Sequence, residues 1–104
     1  MGGEPYGGRA IVFWKGRPVW IAVYYGRIAD PAVPVQPIYT FLQQALLLAP
    51  VACPFRGPAE FADAAFTYRN TWRGDVEAFA GEEAVYQEGE RVYTGSYAGG
   101  LVDR

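Results

Sequence analysis

The text of residues 6–30 recurs in residues 79–103 at a constant offset of 73, without a gap. Set against each other, YGGRAIVFWKGRPVWIAVYYGRIAD and FAGEEAVYQEGERVYTGSYAGGLVD align Gly8 with Gly81, Val12 with Val85, Gly16 with Gly89, Trp20 with Tyr93, Tyr24 with Tyr97, Gly26 with Gly99 and Asp30 with Asp103. Glycines at constant spacing fix turns, and the apolar residues between them fix strand faces. The pattern therefore predicts one β-unit used twice. It constrains architecture and leaves chemistry open.

Within the first unit, residues 10–15 and 18–25 flank Gly16-Arg17, which reads as a two-residue hairpin connection of type II′ or I′. On the second arm Val19, Ile21, Val23 and Tyr25 share one face, and Trp20, Ala22 and Tyr24 share the other. Both faces are apolar, which predicts cover on both. In the second unit Tyr93, Gly95 and Tyr97 keep the aromatic face, but Val92, Thr94 and Ser96 replace the aliphatic one. The Trp20/Tyr24/Tyr93/Tyr97 side is thus the shared face; the other is expected to be buried under hairpin one and wetter under hairpin two.

Between the units, residues 30–37 carry three prolines and read as a connector. Pro37 suits a first helical position, and residues 38–49 follow with a stripe of Ile38, Phe41, Leu42, Ala45, Leu48 and Ala49. Leu47 falls on the polar face, as a singly exposed leucine or a subunit contact, and Pro50 ends the helix. Residues 54–63 read as an Arg-Gly-Pro turn and a short helical segment. Residues 66–70 form a strand, 71–75 a turn, and 76–88 an extended run with a bulge at Gly81. Gly89-Glu90 repeats the hairpin turn before residues 91–98 close the sheet. Unit one has no counterpart of strand 66–70: either the architecture needs only one such strand, or the chain is a shortened form of a longer domain. The predicted fold is α+β, an antiparallel sheet of about five strands with one helix on a face, in a single domain over 1–104. Its parts are unit one (6–30), connector and helix (31–64), and unit two (66–103).

With 104 residues, 51% of them hydrophobic and 17 aromatic, the chain has material for one core and is not disordered. Net charge is −2 and the eight arginines form no run, so no nucleic-acid partner is indicated. The longest apolar stretches fall short of the ~20 residues a bilayer requires, and no signal-peptide pattern opens the chain. With a lone cysteine, Cys53, which reads as a small hydrophobe, the expected setting is cytoplasmic. The chain has no histidine, one serine, one cysteine and one lysine. Serine–histidine and cysteine–histidine nucleophiles are excluded, as is a zinc site of His and Cys ligands, and no cofactor loop of the GxxxxGK[ST] or GxGxxG type occurs. No metal or cofactor is expected.

These residues resemble an uncharacterised bacterial family, domain-of-unknown-function family 5680. The likeness rests on Gly16-Arg17-Pro18-Val19-Trp20, Tyr24-Tyr25-Gly26, Phe41-Leu42, Arg56-Gly57-Pro58, Tyr68, Gly74-Asp75, Phe79-Ala80-Gly81-Glu82-Glu83 and Tyr97-Ala98-Gly99-Gly100-Leu101. The chain departs from the family pattern in having Arg9-Ala10 in place of Gly-x-Glu, and in lacking the N-terminal lead-in. Membership implies the fold and imports no activity.

Glu82 and Glu83 are adjacent on an extended strand, so they point to opposite faces and do not act as a pair. If the aromatic face is the buried one, one of them lies near Tyr93 or Tyr97 and pairs with an arginine such as Arg56. Structural pairing is the plain reading of that ion pair; a general base is the other. Trp14, Trp20, Tyr24, Tyr93 and Tyr97 would line a pocket for a flat ligand, or fill the core beneath a helix. The predicted function is a non-catalytic small-ligand-binding or protein-interaction domain of bacterial regulatory type. Its site is Trp20, Tyr24, Tyr93 and Tyr97, oriented by Glu83 and Arg56, and it takes a small apolar or aromatic ligand. A homodimer is the predicted assembly, with no nucleic acid or membrane partner. The alternative is a small acid–base enzyme, an isomerase or hydrolase, using Glu83 with Arg56 or Tyr97.

Overall fold

Two hairpins of identical register meet through their second strands and make four of the six neighbouring strands of one antiparallel sheet. The computed structural model describes residues 6–29, 34–48 and 56–102. Expectations for Asp30, Ala49, Pro50, Cys53 and Asp103 lie outside the described residues. The strands are β1 (Tyr6–Trp14), β2 (Arg17–Ile28), β3 (Glu60–Asp63), β4 (Phe66–Asp75), β5 (Ala78–Gln87) and β6 (Glu90–Leu101), in the order β1-β2-β6-β5-β4-β3. One helix, α1 (Val35–Leu46), packs on one face. The architecture is α+β as expected, with six strands rather than five.

The sequence offset of 73 reappears in the geometry. Val12 pairs with Trp20 across β1–β2, and Val85 pairs with Tyr93 across β5–β6. Each hairpin shifts register at the next residue, between Val12 and Phe13 and between Val85 and Tyr86. The bulge expected at Gly81 is therefore displaced to Val85/Tyr86. β2 and β6 join the hairpins with Tyr24 opposite Tyr97, Trp20 opposite Leu101 and Ile28 opposite Tyr93. Exchanging the units leaves this pairing unchanged, so a local two-fold runs through the Tyr24/Tyr97 pair.

Both hairpin turns sit one residue earlier than expected. Lys15 and Gly16 have φ of 52° and 77°, and Glu88 and Gly89 have 51° and 86°. Positive φ at both central residues defines type I′, whose twist matches the flanking strands. Glycine takes the second position of each turn, and Lys15 and Glu88 accept the left-handed conformation at the first.

Three further segments differ from expectation. Residues 60–63, read as part of a helical segment, form β3 as the sheet edge, and residues 71–75, read as a turn, continue β4. The β4–β5 turn instead follows Asp75, whose Oδ1 accepts from the Glu77 N–H at 2.9 Å. α1 starts two residues before Pro37, which is compatible because a first-turn residue has no intrahelical N–H bond to lose. It buries Ile38, Tyr39, Phe41, Leu42 and Ala45, while Leu47 and Leu48 beyond its end are exposed. Tyr39 joins the predicted stripe and Leu48 leaves it. Among the described residues no helix is long and apolar enough to cross a membrane.

The shared aromatic face is the core face. Under α1, Ile28, Tyr68, Val85, Val92 and Tyr93 pack with the helix; beside them Ala22, Phe79 and Tyr97 form a smaller cluster with Trp20, Tyr24 and Trp72 half-buried around it. The opposite face of hairpin one is not covered: Val23 and Tyr25 are each 51% exposed, against the expectation of burial. Val19 and Ile21 on the same face are half-buried.

Candidate functional site

Alternation on β5 settles the two carboxylates. Glu82 is exposed and Glu83 is buried. Glu83 stands opposite Asn70 on β4 and Gly95 on β6. The absent side chain at Gly95 makes its room: a Cβ there would come within 3.0 Å of Glu83 Cγ and Oε1.

Four donor contacts converge on the Glu83 carboxylate. Arg56 approaches with Nη2 at 2.5 Å from Oε1 and Nε at 3.2 Å from Oε2, a two-point guanidinium–carboxylate pair. The Tyr68 hydroxyl donates to Oε2 at 2.6 Å, and the Tyr93 hydroxyl to Oε1 at 3.2 Å. The Arg56 and Glu83 side chains are 11% and 2% exposed. The Tyr68 oxygen also accepts from the Gly57 N–H at 3.1 Å, which ties the segment entering β3 to the pair. Burial, with the neighbouring Glu83 charge, pushes the Tyr68 phenol well above its usual range, so it holds its proton and serves as a donor.

A second branch lies alongside. The Tyr97 hydroxyl donates to Asn70 Oδ1 at 2.6 Å, and Asn70 Nδ2 donates to the Gly57 carbonyl at 3.0 Å. Arg56 lies over the Tyr24 ring, 5.0 Å from its centroid. Among the described residues no buried side-chain nitrogen or oxygen lacks a partner.

The structure thus brings together Arg56, Glu83, Tyr93 and Tyr24, and sends Tyr97 to Asn70 rather than to Glu83. Trp20 stands apart, stacked on Phe79 at 5.6 Å with its indole N–H donating to the Val76 carbonyl at 2.8 Å. Trp14, read as part of the aromatic set, is 66% exposed beside the first turn and outside it. Sequence reasoning missed Tyr68, Asn70 and Trp72. The available signal was the alternation Phe66, Tyr68, Asn70, Trp72, in which a polar residue holds a core-face position between aromatics.

The class these features define is a small antiparallel sheet under one helix, built round a saturated carboxylate. The chain belongs to the family described as domain of unknown function 5680, which it matches over residues 1–102. No significant match was found among curated proteins or solved structures.

Proposed function

We propose that the protein is a non-catalytic binding domain of bacterial regulatory type, which takes a small apolar or aromatic ligand at the end of its aromatic face beside α1. The observation that carries this reading is the saturation of Glu83. A general base needs a carboxylate free to receive a proton from substrate, and here Arg56, Tyr68 and Tyr93 occupy both oxygens. Binding draws on what remains. Trp20, Tyr24 and Trp72 are half-buried around Phe79 and Tyr97, in a cluster to which α1 contributes no residue. A thermal-shift screen of flat aromatic metabolites tests this. A ligand at a hundred times its dissociation constant is expected to add about 2.7 kcal/mol, and Trp20→Ala to remove the effect. A panel that shifts neither protein rejects the ligand.

The reading includes a homodimer. Of the eleven large hydrophobics exposed among the described residues, six (Ile11, Val12, Phe13, Trp14, Val23 and Tyr25) lie on hairpin one. β1 is also a sheet edge. Sedimentation is expected to give a dimer at micromolar concentration; a monomer at high micromolar concentration rejects it. The matched register and bulge of the hairpins support a single β-unit used twice.

A further inference from the structure

The solvent face of unit two carries a hollow. On that face Ala84 is the centre of a three-by-three grid. Arg69 and Thr94 flank it across the strands, Thr71, Glu82 and Ser96 form one bordering row, and Thr67, Tyr86 and Arg91 form the other. A methyl group surrounded by larger side chains leaves a depression of about 250 Å³ with Ala84 as its floor. The residue matching Ala84 in unit one is Ile11, a larger side chain on the edge strand β1.

The walls are polarised. At one end the Arg69 and Arg91 guanidiniums lie 5.8 and 5.5 Å from the centroid of the Tyr86 ring, and Arg91 Nη2 donates to the Tyr86 hydroxyl at 2.9 Å. Arg69 Nε meets Glu60 at 3.3 Å in a pair whose side chains are each 63% exposed. Each guanidinium has five N–H donors, and these contacts use a small part of them. Thr71 and Thr94 line the sides, and Glu82 closes the far end. The planar forks match a carboxylate or a phosphate.

We propose that this hollow binds a small molecule through one oxyanion, a carboxylate or phosphate, clasped between Arg69 and Arg91. Tyr86 holds both guanidiniums in place, and Glu82 bars a second negative group at the far end. The site lies on the face opposite the aromatic cluster, so it stands or falls independently of the ligand proposed there.

Titration of the labelled protein with inorganic phosphate in one arm and acetate in the other, followed by the Arg Nε–H and Thr94 amide signals, tests it. A saturable shift is expected in at least one arm. Phosphate alone assigns a phosphoryl ligand, and acetate alone a carboxylate. Arg91→Ala and Arg69→Ala are each expected to weaken binding about tenfold, and Glu60→Gln to strengthen it by releasing Arg69. Ala84→Ile, which installs the unit-one residue on a β-strand position that tolerates it, is expected to abolish binding. No saturation in either arm overturns the proposal, as does saturation that survives both Ala84→Ile and Arg91→Ala in variants with wild-type circular dichroism.

Discussion

Hairpin one and hairpin two share turns, bulges and register, yet they live in different environments. Val85 is fully buried and its counterpart Val12 is 50% exposed. Glu83 sits in a web of donors, whereas its counterpart Ala10 lies on an edge strand facing solvent. The difference comes from neighbours. β5 has β4 on its outer side and α1 above; among the described residues β1 has β2 alone. A backbone template sets strand pairing, and burial is decided by what is laid against it.

The largest test of this contrast compares Glu83→Ala with Ala10→Glu. Removing Glu83 takes the carboxylate away from the buried Arg56 guanidinium and is expected to cost about 3–5 kcal/mol by chemical denaturation. Adding a carboxylate at exposed position 10 is expected to change stability by less than about 0.5 kcal/mol. Comparable losses at both sites would end the distinction.

Next come the glycines beneath the paired tyrosines. A Cβ at Gly81 would lie 2.3 Å from the Tyr97 hydroxyl and 2.8 Å from the Thr71 backbone carbonyl. At Gly8 the three nearest atoms belong to the Tyr24 side chain, the closest being its hydroxyl at 2.5 Å. Gly81→Ala is expected to cost about 1–3 kcal/mol, and Gly8→Ala less, because a half-buried ring swings aside more readily than a backbone. Thermal melts of the two variants give the comparison.

Alkaline pH probes the donors round Glu83. The folded-state pKa of Tyr68 is raised, so the unfolded chain loses this proton first, from its ordinary value of 10.0. Below that pH the contribution is complete. Above it the folded state holds more protons, and stability falls as pH rises, by up to about 1.4 kcal/mol per pH unit. Tyr68→Phe is expected to show a shallower decline in melting temperature above pH 10; an unchanged slope would remove Tyr68 as the cause.

The smallest effect is at the turns. Lys15→Asn and Glu88→Asn each put a residue tolerant of positive φ in the same type I′ position. Each is expected to stabilise by about 0.5 kcal/mol, and equally. Unequal gains would show that the turns are not equivalent.

The features that depend on local sequence were legible. Glycine spacing revealed two hairpins, and alternation put Trp20, Tyr24, Tyr93 and Tyr97 on one shared face and Glu82 and Glu83 on opposite ones. With that face buried, an arginine partner for the inward carboxylate followed from charge, with Arg56 named as one candidate among eight. The rest depended on which strands lie side by side. Tyr68 and Asn70 reach Glu83 and Tyr97 only through the β4–β5 register, and no local pattern specifies that register. β3 escaped notice because four residues after Arg-Gly-Pro are too few to show alternation. The solvent face of hairpin one was misjudged because apolar residues indicate a wish for cover, while supplying it takes another layer.

The β2–β6 seam also dictates how the chain must come together in time. Each hairpin closes over a two-residue turn and forms within microseconds as an isolated event. The seam joins residues 65 to 81 positions apart, from Ile28 with Tyr93 to Trp20 with Leu101. Closing so long a loop spends chain entropy before any pairing rewards it. The topology therefore predicts that folding is limited by the search that brings Tyr24 to Tyr97 rather than by closure of either hairpin.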